Sequence, residues 1–172
     1  AGSLLGGVVG SLASPAYLAE PGTNGGFLHM FNNDDGQEDW AFFPKELAPV
    51  LNLRRENAFS FQHVYGIDAT AVTWTLDLNR DGNLKAADGD KVYLYFGLRR
   101  GGRILYAMDI SNPDNPSLLW RVDADSPGFA ELGQTWSVPV VTRIPGYRDD
   151  RGIPKPVLVF GAGYDPDKDS QD

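Results

Sequence analysis

Between Ala69-Thr70-Ala71-Val72-Thr73-Trp74-Thr75-Leu76 and Lys91-Val92-Tyr93-Leu94-Tyr95-Phe96, the chain reads Asp77-Leu78-Asn79-Arg80-Asp81-Gly82-Asn83-Leu84-Lys85-Ala86-Ala87-Asp88. Both flanks are rich in β-branched and aromatic residues, the composition of strands. The insert places oxygen-bearing side chains at loop positions 1, 3, 5 and 12, with glycine at position 6. Ca²⁺ is a hard cation that takes oxygen ligands, and a tight loop with this spacing can point them at one centre. Asp77, Asn79 and Asp81 would ligate through side chains, Asn83 through its carbonyl, and Asp88 from the far end. Gly82 supplies the sharp turn, where a side chain would be strained. A solvated acidic turn is the competing reading, because Asp, Asn and Gly cluster in turns without any metal. An EF-hand is excluded, since that motif needs helices on both sides. The calcium loop would therefore join two strands and pin a long connection.

Working outward, the composition fits many short strands: 20 Gly, 12 Pro and 12% aromatic residues in a chain of 172. That length suits one ordinary domain, or part of a larger all-β one. A formal charge of −8 argues against a nucleic-acid partner, which needs clustered Lys and Arg. Arg99, Arg100 and Arg103 form the only basic knot, expected to be a solvated hairpin tip. The absence of cysteine excludes disulfides and thiolate chemistry and leaves the redox compartment open. No apolar run approaches the length of a membrane span. Leu4-Leu5-Gly6-Gly7-Val8-Val9 is short and lacks a basic flank, so a targeting segment for an exported protein is expected outside this chain.

A degenerate repeat runs through the sequence. Ser14-Pro15-Ala16-Tyr17-Leu18, Ala69 to Thr73 and Ser137-Val138-Pro139-Val140-Val141 read as the same opening strand. Tyr93-Leu94-Tyr95-Phe96-Gly97 and Leu158-Val159-Phe160-Gly161 read as the next. Two further segments follow a Gly-Gly pair and lead through a polar turn to Trp40 and Trp120. Four short antiparallel strands per cycle make a propeller blade. The chain is thus predicted to be an all-β β-propeller fragment of about two to three blades with quinoprotein-like four-stranded sheets. Strands are expected near 14–18, 27–31, 38–43, 69–76, 91–97, 103–109, 117–122, 137–143 and 156–161. One short helix should fill 44–55, with Pro44 at its first position and Leu47, Val50 and Leu51 on one face.

Gly25-Gly26-Phe27-Leu28-His29-Met30-Phe31, the Trp40-Ala41-Phe42-Phe43-Pro44 strand and Gly101-Gly102-Arg103-Ile104-Leu105-Tyr106-Ala107-Met108-Asp109 resemble the C-terminal β-propeller of the PilY family. Phe160-Gly161-Ala162-Gly163-Tyr164-Asp165 continues the match, which extends over nearly the whole chain, 1–172 as one partial domain. Members are surface-exposed type IV pilus biogenesis factors and tip-associated adhesins. The resemblance implies a non-enzymatic calcium-binding module that helps set pilus extension and retraction, surface attachment and twitching motility. It implies minor pilins of the pilus tip complex, or a host-surface ligand, as partners, and the cell surface or pilus tip, reached by export across the outer membrane, as location.

The family loop closes with Asp at position 9, where this chain has Lys85, and the longer spacing to Asp88 is similar to a dockerin loop. Asp90 is the alternative closing ligand. Family members also carry an apolar strand before the Asn24-Gly25-Gly26 turn, whereas Glu20-Pro21-Gly22 runs directly into Thr23. Residues missing at that junction would leave a Cα separation far above the roughly 3.8 Å of a trans peptide.

His29 and His63 have no nucleophile signature beside them and read as strand-face or buried residues. Trp40, Trp74, Trp120 and Trp136 are expected to pack blades, with a carbohydrate platform as the alternative. Asp165 to Asp172 mimics the start of a second calcium loop but reads as a flexible acidic end. Arg148-Asp149-Asp150 carries no recognised adhesion tripeptide. The alternative function is a fragment of a PQQ-dependent quinoprotein dehydrogenase, suggested by Leu105 to Asp109 followed by Trp120. In that enzyme calcium touches the quinone, whereas the loop here would supply all its own ligands.

Overall fold

Among the described residues every strand pair is antiparallel, and the strands fall into three small sheets stacked in sequence order. The computed structural model describes residues 17–20, 25–32, 34–56 and 64–169. The first sheet holds β1 (Tyr17–Glu20), β2 (Leu28–Asn32) and β3 (Glu38–Phe42). A 3₁₀ turn at Lys45–Leu47 leads into α1 (Ala48–Glu56). The second sheet is a four-stranded meander of β4 (Val72–Leu76), β5 (Lys91–Gly97), β6 (Leu105–Asp109) and β7 (Ser117–Val122). The third pairs β8 (Val140–Arg148) with β9 (Pro154–Val159).

The middle sheet is covered on both faces, and its central strand shows how. Successive side chains of a strand point to opposite faces. Val92, Leu94 and Phe96 of β5 join Leu28, Met30, Tyr106 and Met108 in the core shared with the first sheet. Tyr93 and Tyr95, on the other face, pack with Trp74, Leu76 and Ala107 against Val141 and Leu158 of the third sheet. Two buried faces explain why 91–97 is a nearly unbroken apolar run. Phe42 meets Phe96 and Tyr106 edge-on, with centroids 5.9 and 5.7 Å apart. The Arg143 guanidinium lies 5.4 Å from the centre of the Trp74 ring, adding a cation–π contact between the second and third sheets.

The expected strands appear with ends displaced by a few residues, and residues 14–16 of the first lie outside the described residues. β4 begins at Val72 rather than 69, and β8 runs on to Arg148 through a register shift between Arg143 and Arg148. The helix is the larger difference. Pro44 precedes the 3₁₀ turn instead of opening the helix, and Pro44 and Leu47 carry the burial. Of the expected apolar face, Leu47 is buried and Leu51 is exposed, and the Val50 side chain lies outside what the structure describes. Among the described residues the sheets do not close on themselves. The Gly22–Thr23 junction and His63 lie outside the described residues. Among the described residues, no helix is long and apolar enough to cross a membrane.

Candidate metal loop and its surroundings

The ladder between β4 and β5 pairs Leu76 with Lys91, so both ends of the 77–90 connection are fixed side by side. Within it, polar side chains fold back on the backbone in successive turns. Asp77 accepts hydrogen bonds from the amides of Arg80 (2.6 Å) and Gly82 (2.9 Å). Asn79 Oδ1 accepts from the Asp81 amide (3.0 Å), and Asp81 Oδ1 from the Asn83 amide (2.7 Å). Such turns suit short Asp and Asn side chains. They force Arg80 (φ 61°) and Gly82 (φ 81°) into the left-handed region, which Gly82 tolerates freely. Leu84 packs against the core shared by the first two sheets and anchors the otherwise exposed loop.

Asp88 closes the far end of the loop from the 3₁₀ turn Ala86–Asp88. Its Oδ2 lies 3.5 Å from Asn79 Nδ2, bringing positions 3 and 12 of the loop together. Asp90 behaves differently. It is 1% exposed, and its two oxygens accept from the amides of Leu78 (2.8 Å) and Lys85 (2.9 Å). Those two bonds, the Lys85 amide first, hold its carboxyl below the ordinary value. Asp90 is therefore a clamp across the loop neck, and Asp88 is the better placed of the two candidate closing ligands.

The donor set suits a hard cation, because Asp77, Asn79, Asp81, the Asn83 carbonyl and Asp88 all offer oxygen. Asp81 Oδ2 and Asp88 Oδ1 accept no hydrogen bond from a described residue. Among the described residues, however, no three His, Cys, Asp or Glu side chains already converge as a metal cluster. An ion would have to draw Asp81 and Asp88 inward, with Asn79 and a carbonyl supplying the neutral ligands.

Two expectations for charged segments are corrected. The Arg99, Arg100 and Arg103 knot does sit at the tip between β5 and β6, with Arg100 exposed, but Arg100 and Arg103 are ion-paired rather than simply solvated. Arg100 grips Asp68 through Nε (2.6 Å) and Nη2 (3.0 Å), and its guanidinium sits 3.9 Å from the Tyr65 ring centre. Arg103 pairs with Asp165 (2.7 Å) and Asp167 (2.6 Å). Those contacts also hold the acidic tail as far as Asp169, in a 3₁₀ turn at Pro166–Lys168 with Lys168 paired to Glu131. Local sequence gives no sign of these pairs, whose members lie tens of residues apart. His29 lies on a strand and pairs with Glu38 (2.7 Å). Trp74 is buried as expected, whereas Trp120 and Trp136 are exposed.

No family model matches the chain. Over 151 residues it is 34% identical to the type IV pilus biogenesis factor PilY1 of Pseudomonas aeruginosa (strain UCBPP-PA14), covering 86% of this chain. The chain belongs to the PilY1 family. It is also 32% identical over 128 residues to the PilY1 homologue of Xylella fastidiosa, covering 71% of this chain. The crystal structure of the P. aeruginosa PilY1 C-terminal domain superposes with a TM-score of 0.54 at 28% identity, covering 86% of this chain and 24% of that one. The chain spans about a tenth of the curated relatives' length, 11% and 9% for these two.

Proposed function

We propose that this chain is part of a calcium-binding β-propeller in a type IV pilus biogenesis protein, acting as a non-enzymatic module at the cell surface or pilus tip. The loop at 77–88 carries the reading: five oxygen donors at calcium spacing, on a connection whose neck is fixed by the Leu76–Lys91 pair and the Asp90 clamp. The stacked antiparallel sheets support the propeller, the next blade covering the exposed side of β8 and β9. The relatives' names support the pilus role. Calcium would relieve repulsion among Asp77, Asp81 and Asp88 and fix the loop, without being needed to fold sheets that have their own apolar cores. Its occupancy would help set pilus extension and retraction, and through them attachment and twitching motility. Minor pilins of the tip complex, or a host-surface ligand, are the partners this role implies.

Calorimetric titration with Ca²⁺ tests the site. Wild-type protein should bind, and Asp81→Ala should lose most affinity, because no neighbouring side chain replaces position 5. Equal affinity in the variant removes the assignment. In cells, the same substitution should alter surface piliation or twitching, while normal twitching with a calcium-free loop would detach the site from the pilus role.

A further inference from the structure

Arg99 sits at a bend that the fold builds at some expense. Its φ is 49°, a left-handed conformation that a side-chain-bearing residue seldom adopts. The Thr135 hydroxyl, 3% exposed as a residue, holds the bend by accepting from the amides of Leu98 (2.9 Å) and Arg99 (3.0 Å). Gly97 is required beside it, since a Cβ there would lie 2.2 Å from Thr135 Oγ1.

This geometry aims a cation that has no anion. The Arg99 guanidinium lies 4.8 Å from the Trp136 ring centre, and its one hydrogen bond, from Nη1 to the Asp68 carbonyl, is long at 3.4 Å. Its Nε is buried without a hydrogen-bond partner. The nearby carboxylate of Asp68 is already taken, in a two-pronged pair, by Arg100. No described carboxylate pairs with Arg99, in a chain whose formal charge is −8. Arg99 also lines a cavity of about 80 Å³ with Thr70, Trp136, Ser137 and Pro139.

We propose that Arg99 and this cavity bind a single carboxylate group, either of a small organic acid or of an acidic side chain on a partner. A guanidinium without a carboxylate partner is best satisfied by a planar, two-oxygen anion, which its donors match as a fork. The cavity, about 80 Å³, has room for a carboxylate and a short stem. Trp136 and Pro139 supply apolar wall beside the guanidinium. The site lies apart from the 77–88 loop and does not depend on calcium.

The test is saturation-transfer NMR of weak ligands on the full-length protein, with acetate, Nα-acetyl-aspartate amide and N-acetyl-glycine as probes at constant ionic strength. Wild type should give saturable transfer with a Kd on the order of 1 mM, unaffected by replacing sulfate with chloride. Arg99→Gln should weaken it by about tenfold or more. Thr70→Phe, which blocks the cavity from an exposed position and leaves Arg99 in place, should do the same with an unchanged melting temperature. Tighter binding of the aspartate amide than of acetate assigns the site to a partner's side chain. Equal or weaker binding assigns it to a free acid. No saturable transfer in wild type, displacement by chloride, or undiminished transfer in a folded Arg99→Gln or Thr70→Phe protein overturns the proposal.

Discussion

Replacing Asp77, Asp81 and Asp88 by alanine, one at a time, separates what each carboxylate does for the empty loop from what it does for calcium. Asp77 accepts two backbone hydrogen bonds, Asp81 one, and Asp88 only the 3.5 Å approach of Asn79. At about 0.5–1.5 kcal/mol per bond, the calcium-free cost is about 1–3 kcal/mol for Asp77→Ala and about 0.5–1.5 kcal/mol for Asp81→Ala. Asp88→Ala should cost close to nothing. One kcal/mol moves the melting temperature of a domain this size by about 2–4 °C, so the drops in chelator are roughly 2–12 °C, 1–6 °C and near zero. Calcium at a hundred times its Kd adds about 2.7 kcal/mol to a native state that alone binds it, or about 5–11 °C. All three variants should lose most of that increment. Thermal unfolding followed by circular dichroism, with EGTA and with Ca²⁺, reads both quantities. A full calcium increment in Asp88→Ala would remove it as the closing ligand. A chelator-state loss in Asp88→Ala as large as in Asp77→Ala would refute the hydrogen-bond assignment itself.

Four further outcomes follow from the packing. Phe96→Ala, at a site with 0% exposure between the first two sheets, should cost about 3–5 kcal/mol in urea unfolding. Val159→Thr, at a site 57% exposed, should stay within about 0.5 kcal/mol. Asp90 has a folded-state pKa below its ordinary value of 3.8, so its contribution is complete above 3.8 and is lost as pH falls through the lower folded value. The melting temperatures of wild type and Asp90→Asn should therefore differ at neutral pH and converge in acid, and a gap that widens on acidification would contradict the clamp. Thr135→Val removes the acceptor for the Leu98 and Arg99 amides and should cost about 1–3 kcal/mol, whereas Thr135→Ser should be far milder.

What the sequence made legible was periodic or local. Strand β5 announces itself because Val92, Leu94 and Phe96 serve one buried face and Tyr93 and Tyr95 the other, which leaves no polar position to mistake for a loop. The turns within 77–88 are equally readable, since Asp77, Asn79 and Asp81 each accept from an amide only a few residues ahead. The helix after Pro44 was legible in place but not in orientation. A single apolar stripe in so short a segment does not say which turn meets the core, and the 3₁₀ turn took that role through Leu47.

The rest was hidden because it depends on pairs far apart in the chain. Asp90 has the same letter as the ligands beside it, and only its burial against the Leu78 and Lys85 amides makes it a clamp. The arginine knot looked solvated because its partners Asp68, Trp136, Asp165 and Asp167 come from segments that meet only when the sheets stack. Stacking also creates the contrast within the knot. Arg100 and Arg103 receive carboxylates, while Arg99 is held by Thr135 over a tryptophan and a small cavity without one. Three arginines within five positions thus have two kinds of environment. The two that find acids fasten loops, and the one that does not is left with donors for a carboxylate from outside.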